Sequence, residues 1–282
     1  MYSRLEVINP KTLNEVVQIL SDRKIKLLAG ATDVMPALKK GIEPASAFLN
    51  LSNLKNELSY IIKKNNMLTI GALTTFSEIY NSSIIKKYFP LLSSVSKQIG
   101  AAQIQNRATI GGNIANASPA GDSMPVLLVY NAKLILISKK CERKISLNKF
   151  YRAYKDLELR HDEIIREIQI PIVNYSDWKS FFRKVGSRQA QTISKISFAG
   201  LARILHNRIL ECRIAMGSIA PIPLRLNALE EYLINKDAHS IQSNEIRKII
   251  DYSISPIDDV RSTRKYRLDV AFNLINEFTK MF

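Results

Sequence analysis

The sequence predicts an α+β chain: two linked α/β pieces, about 1–55 and 56–174, followed by a small α+β domain over 175–282. Three observations carry this expectation. Short apolar runs of strand length alternate with helical stretches as far as Pro171. After the Val173-Asn174-Tyr175-Ser176 linker the order changes to three strands and then three helices. The chain is 282 residues long and 46% hydrophobic, enough for about two domains and a substantial core.

Element by element, Lys-Ile-Lys-Leu-Leu-Ala over 24–29 reads as a short buried strand ending at Gly30. A helix over 34–40 follows, with Thr32 or Asp33 placed to cap its first turn. Strand, small-residue turn and helix start make a ready anion site, an outline shared by many turns that bind nothing. Residues 48–51 form another strand, and 60–64 pairs with 67–72 as a hairpin across Asn65-Asn66. Two helices, about 76–88 and 91–104, are separated at Pro90. A helix over 124–130, a strand over 133–137 and a strand over 163–170 complete the first region. In the tail, strands 178–185, 198–205 and 209–216 follow, the last two joined through His206-Asn207-Arg208. The run Ala220-Pro221-Ile222-Pro223 then leads into helices near 226–234, 243–252 and 259–281.

The stretch 109–122, Thr-Ile-Gly-Gly-Asn-Ile-Ala-Asn-Ala-Ser-Pro-Ala-Gly-Asp, holds three of the ten glycines. Glycine allows tight turns and close approach of backbone to a ligand. The neighbouring N–H groups, hydroxyls and carboxamides are donors suited to a phosphate or a polar cofactor edge. The segment reads either as an ordinary surface loop or as such a cradle, anchored by the apolar run after Met124.

Composition excludes several function classes. No apolar span is long enough to cross a bilayer, and the first eleven residues contain no apolar signal region, so a cytoplasmic protein is expected. Cys141 and Cys212 form no Cys-x-x-Cys pair, and His161, His206 and His239 show no ligand spacing; a protein-held metal is not expected. The net charge of +16 raises nucleic-acid binding, but Lys and Arg are spread along the whole chain rather than gathered in one arm. An anionic cofactor or acidic partner subunits suit the same field. No Gly-x-Gly-x-x-Gly follows a strand, and no P-loop, His-Glu-x-x-His or Gly-x-Ser-x-Gly occurs. With so little side-chain chemistry, a cofactor is expected to supply it.

Leu27-Leu28-Ala29-Gly30-Ala31-Thr32-Asp33 and Ala108-Thr109-Ile110-Gly111-Gly112-Asn113 together resemble the two FAD-binding loops of the flavin-carrying medium subunits of molybdenum hydroxylases. Xanthine dehydrogenase and carbon monoxide dehydrogenase typify that family. The resemblance covers nearly the whole chain and is strongest to the separate FAD subunits of bacterial xanthine dehydrogenases. It includes Gln103-Ile104-Gln105-Asn106 and Arg261-Ser262-Thr263-Arg264-Lys265-Tyr266-Arg267.

The resemblance implies an FAD-binding domain of the PCMH, vanillyl-alcohol-oxidase-like type with FAD extended between its two pieces. A C-terminal domain of the CO dehydrogenase flavoprotein type closes over the flavin. It places Lys26, Leu27, Leu28, Ala29, Gly30, Ala31, Thr32, Asp33 and Val34 around the pyrophosphate, with Thr109, Ile110, Gly111, Gly112 and Asn113 completing the cradle. Asn116 and Asp122 add polar contacts, Ile165 touches the flavin through its backbone, and Lys184 lies near the flavin ring. The residues themselves leave other roles open: Lys184 as a solvent-facing strand lysine, Asp33 and Asp122 as helix-cap or turn aspartates. The first loop departs from the family pattern at Ala31, where a second glycine is usual. The methyl group costs on the order of 1 kcal/mol if φ there is positive and nothing if it is negative.

The implied role is electron transfer. A molybdopterin-binding large subunit oxidises the substrate, [2Fe-2S] clusters of a small subunit pass electrons to FAD, and NAD+ receives a hydride. The expected assembly is a dimer of heterotrimers, with purines as the expected substrates. Some relatives, the hydroxybenzoyl-CoA reductases, carry an extra iron–sulfur cluster in this subunit; two cysteines cannot supply its four ligands. Two other readings compete: a stand-alone FAD-dependent oxidoreductase, and a cofactor-free basic nucleic-acid-binding protein.

Overall fold

In the computed structural model, which describes residues 5–43, 45 and 47–282, the chain opens with a strand and a helix that the apolar pattern did not mark. The first residues of the expected leaderless N-terminus, 1–4, lie outside the described residues. β1 (Glu6–Ile8), α1 (Leu13–Asp22), β2 (Lys26–Leu28), α2 (Val34–Lys39) and β3 (Ala47–Asn50) build a small parallel sheet in the order β1-β3-β2. The Thr12 side chain caps α1 by accepting from the Glu15 N–H, and the helix buries Val16, Val17 and Leu20. Those residues pack with Leu49, Leu54, Leu58, Leu73 and Ile164, so the small piece shares its core with the next one.

The second piece runs α3 (Lys55–Leu58), β4 (Ile61–Lys64), β5 (Met67–Gly71), α4 (Phe76–Asn81), α5 (Ser83–Tyr88), α6 (Pro90–Ser96), α7 (Ala102–Gln105), α8 (Ile110–Asn116) and α9 (Ser123–Val129). β6 (Lys133–Ile137), β7 (Glu142–Ser146), β8 (Tyr151–Ala153), β9 (Asp156–Leu157) and β10 (Ile164–Pro171) complete it. Five strands form an antiparallel sheet, β4-β5-β10-β6-β7, and the β4–β5 hairpin turns at Asn65 in the left-handed conformation. The two helices expected over 76–104 are four shorter ones. Ser82 is extended and caps α5 through its hydroxyl, Pro90 opens α6, and Gly100 has φ +57 just before α7. The glycine-rich stretch is likewise not one loop, because its first half is α8, capped by the Thr109 side chain.

The tail contains four strands rather than three: β11 (Trp178–Val185), β12 (Ile196–Leu205), β13 (Arg208–Gly217) and the two-residue β14 (Leu224–Arg225), in sequential antiparallel order. β14 escapes the pattern because two residues directly after Pro223 show no alternation. Three helices follow, α10 (Asn227–Leu233), α11 (Ser243–Ser253) and α12 (Arg264–Thr279). α12 begins five residues later than expected, because Thr263 caps it and Asp259 pairs with Ser262 in a tight turn beforehand.

Period-two alternation on β12 and β13 joins the two regions. Ile196, Phe198, Ile214 and Met216 face the tail helices, while Ala199, Leu201 and Ala215 belong to the core around α9. Every residue of α9 is buried, and its last carbonyls are met by cations from the tail sheet. Arg213 Nη1 donates to Val129 O at 3.3 Å and Arg225 Nη1 to Leu128 O at 3.5 Å.

Candidate functional site

Two turns, far apart in sequence, meet because Gly30 has no side chain. A methyl group there would overlap the Arg107 carbonyl, so the β2–α2 turn lies directly on the segment leading into α8. Gly111 serves the same purpose on the other side. Its N–H donates to Ala72 O at 2.9 Å, and a β-carbon would sit 2.7 Å from that oxygen. Gly112 differs: a β-carbon would meet side chains and no backbone, Thr109 Oγ1 at 2.8 Å and Ala29 Cβ at 3.9 Å.

A cleft runs along this junction in two lobes. The first, of about 990 Å³, lies between the parallel sheet, α8 and β10 and is lined by Lys26, Gly30, Gly112 and Ile165 among others. The second, of about 940 Å³, lies between the 118–122 segment and the tail domain and includes Ile99, Asp122, Lys184 and Ser194. Thr32, Asp33, Ala108, Asn113 and Asn116 line both, so the lobes meet at the first turn.

The donors at that meeting point come from the first turn. Among the described residues, no acceptor takes the backbone N–H groups of Gly30, Ala31, Thr32, Asp33 or Val34. At α8 the corresponding groups are already engaged: Ile110 N with Thr74 O, Gly111 N with Ala72 O, and Gly112 N with Thr109 Oγ1. Ala31 has φ +63, so its methyl group stands in the left-handed region. Asp33 precedes α2 and Asp122 precedes α9, yet neither carboxylate caps its helix, and Thr32 does not cap α2 either.

The Asp122 carboxylate instead holds Lys184. Lys184 Nζ lies 2.6 Å from Asp122 Oδ2 and donates to Gln98 O at 3.0 Å, while the Ser194 hydroxyl donates to Asp122 Oδ1. The Lys184 side chain is only 5% exposed, so it is not a solvent-facing strand lysine. Burial pushes the Asp122 carboxyl upward, opposed by Lys184 and Ser194.

Around the first lobe, Lys26 pairs with Glu43, and Lys155 Nζ donates to the Asn116 carbonyl and to Asn116 Oδ1. Glu163 receives a two-pronged contact from Arg143, 2.6 Å from Nε and 2.8 Å from Nη2, and the Arg160 N–H at 2.8 Å. Burial raises the Glu163 carboxyl, but the Arg143 and Arg160 donors outweigh it and hold the group below the usual carboxylate range.

Of the residues singled out from the sequence, Lys26, Leu27, Ala29 to Val34, Thr109, Gly111 to Asn113, Asn116, Asp122, Ile165 and Lys184 all line the cleft. Leu28 and Ile110 line neither lobe; Ile110 is fully buried in the core. Ile165 and Lys184 lie in different lobes. Sequence reasoning missed Lys155, Glu163, Ile99 and Ser194, which belong to no motif. Arg267 stood inside the quoted tail motif without a role. Its guanidinium is buried, bonds Ser218 O and Asp259 at 2.8 Å each, and leaves Nε without a partner. Among the described residues, no group of three or more His, Cys, Asp or Glu is placed to hold a metal ion, and no helix is long and apolar enough to cross a membrane.

Comparison with known proteins agrees with this geometry. Residues 3–173 match the family described as the FAD binding domain in molybdopterin dehydrogenase, and residues 181–282 match the CO dehydrogenase flavoprotein C-terminal domain. The fold is thus that of a flavoprotein subunit in which an FAD-binding domain precedes a second, C-terminal domain. The chain belongs to the FAD-binding medium subunits of the molybdenum hydroxylase family. It is 30% identical over 270 residues to a xanthine dehydrogenase FAD-binding subunit of Escherichia coli O157:H7, covering 95% of this chain and 91% of that one. It is 29% identical over 265 residues to a glyceraldehyde dehydrogenase medium chain of Sulfolobus acidocaldarius, covering 94% and 93%. A carbon monoxide dehydrogenase structure from Hydrogenophaga pseudoflava superposes with a TM-score of 0.90 over 97% of this chain and 95% of that one, at 24% identity, a likeness of fold.

Proposed function

We propose that the two-lobed cleft holds FAD in an extended form and that the chain relays electrons within a molybdenum hydroxylase complex. One observation carries this reading: two lobes of nearly equal size meet at a turn whose N–H groups have no acceptor among the described residues. A pyrophosphate there accepts from Gly30 to Val34, with the Gly112 and Asn113 backbone alongside. The ring end then occupies the second lobe, against Lys184 and beneath the tail sheet, and the nucleoside end occupies the first, so the Ile165 backbone, expected at the flavin, faces the nucleoside end instead. When bound, FAD supplies redox chemistry that joins one-electron donors to a two-electron acceptor. The chain's own part is to hold the dinucleotide, to shield the ring end with the tail domain and to place a cation beside it. The domain boundary near residue 174 belongs to the same proposal.

The partners we propose are a molybdopterin-binding large subunit and a [2Fe-2S] small subunit, arranged as a cytoplasmic dimer of heterotrimers. NAD+ is the proposed acceptor and a purine the proposed substrate of the complex. The relative named a xanthine dehydrogenase subunit supports the purine. A relative named for caffeine, another purine, agrees, but others are named for nicotinate and nicotine, so the substrate pocket is assigned to the large subunit rather than to this chain.

The test is the visible absorption spectrum of the purified protein. Oxidised-flavin bands at one FAD per chain are expected; their absence overturns both flavin readings and leaves the basic nucleic-acid-binding one. Co-purification with molybdenum and cluster subunits separates the complex from a stand-alone oxidoreductase. Reconstitution with purines and NAD+ then decides the substrate and the acceptor.

A further inference from the structure

The ion pair between Asp122 and Lys184 spans the two domains. Asp122 lies at the start of α9, Lys184 on β11, and Ser194 just before β12. A lysine ammonium has three protons to donate. Asp122 Oδ2 and the Gln98 carbonyl take two, and among the described residues nothing takes the third, although the side chain is nearly fully buried against the second lobe. Asp122 anchors the pair, its Oδ2 accepting from Lys184 and its Oδ1 from the Ser194 hydroxyl. The donor with a proton left for an acceptor on a ligand is therefore the lysine, and the carboxylate holds it in place. In a water-poor site a carboxylate in that position fixes the ammonium and offsets most of its field.

We propose that Asp122 is a positioning residue that acts on bound FAD through Lys184. It fixes the lysine at the wall of the second lobe and cancels part of its charge, so that the flavin's reduction potential answers to the pair and not to a free cation. The inference rests on the FAD reading above.

A double-mutant cycle on the purified whole protein tests it, with flavin content read by absorbance and the potential by equilibration with redox dyes. Asp122→Asn leaves the ammonium uncompensated and favours the anionic reduced ring. The expected shift is about tenfold toward the reduced form, roughly 30 mV for a two-electron couple. Lys184→Met shifts the equilibrium the other way and by less, because an unpaired buried carboxylate takes up a proton and leaves no net charge. Adding Asp122→Asn to Lys184→Met then changes the equilibrium less than twofold.

An unchanged or lowered potential in Asp122→Asn overturns the proposal, as does an equal shift in both backgrounds, which would mean that Asp122 acts on the ring directly. Where the single Asp122→Asn variant does not fold, infrared spectroscopy of Lys184→Met decides. A protonated-carboxyl C=O band that disappears in the double variant is expected, and its absence overturns the coupling. Flavin bound throughout with unmoved potentials refutes this inference alone. Wild-type protein free of flavin refutes it together with the reading it rests on.

Discussion

Three glycines at the cleft have two different jobs. Gly30 and Gly111 let backbone meet backbone, whereas Gly112 leaves space open to the first lobe. Gly112→Val therefore fills that lobe and disturbs the Thr109 hydroxyl, whose cap is worth about 1 kcal/mol. Flavin content is expected to fall at least about tenfold (about 1.4 kcal/mol) while the far-ultraviolet circular dichroism stays that of the wild type; full occupancy would show that α8 does not border the cofactor. Ala31 settles the question left by its missing glycine, since its φ of +63° is positive. The methyl strain of about 1 kcal/mol is nearly matched by the extra chain entropy of glycine. Ala31→Gly should leave the urea-unfolding free energy within about 0.5 kcal/mol of wild type, and a gain well above that would mean the turn is strained beyond this one residue.

At the scale of elements, α8 resembles an anion-binding helix start but has no free donors there. Thr74, Ala72 and the Thr109 side chain have taken its first N–H groups, so in the proposed site the donors are those of the β2–α2 turn and α8 supplies the surface. The edge of the first lobe is held by Glu163, just before β10, and by Arg143 on β7. The folded-state pKa of Glu163 is lowered, so its contribution is present above the unfolded carboxylate pKa and is lost as pH falls through the folded one. Glu163→Gln is expected to cost about 1.5–3 kcal/mol at neutral pH. Chemical denaturation at a series of pH values should show the gap between variant and wild type closing below the usual carboxylate range. A pH-independent gap would assign the loss to packing alone.

The molecule holds together around α9, a helix buried on all sides between the central sheet's core and the small-residue face of the tail sheet. The arginines that meet its C-terminal carbonyls also tie the domains. Arg225 forms a two-pronged pair with buried Glu230, at 2.6 and 2.8 Å, and Glu230 also accepts the Ile214 N–H at 2.8 Å. Arg225→Ala leaves that carboxylate buried and unpaired, for an expected cost of about 3 kcal/mol in guanidinium unfolding. A loss below about 1 kcal/mol would mean that Arg213 suffices to hold the joint. Since the tail domain roofs the second lobe, loosening this joint should also weaken flavin retention.

Strands 133–137 and 178–185 were legible because apolar and aromatic residues persist over a full strand length beside turn residues. β1 and β14 were not, since two or three residues are too few. The two turns of the site were legible as local chemistry: small residues, hydroxyls and carboxamides at a strand end and before an apolar run. Which turn keeps its N–H groups free depends on Ala72 and Thr74 reaching α8, contacts made between distant parts of the chain. Lys184 shows the division most clearly. Its place on a strand follows from the aromatic and apolar residues around it, but its burial, its pairing with Asp122 62 residues away and its spare donor arise only when the tail sheet closes on α9. Local sequence sets backbone preference and which face is apolar. The field at a buried charge depends on what the fold brings beside it and on how much water it removes.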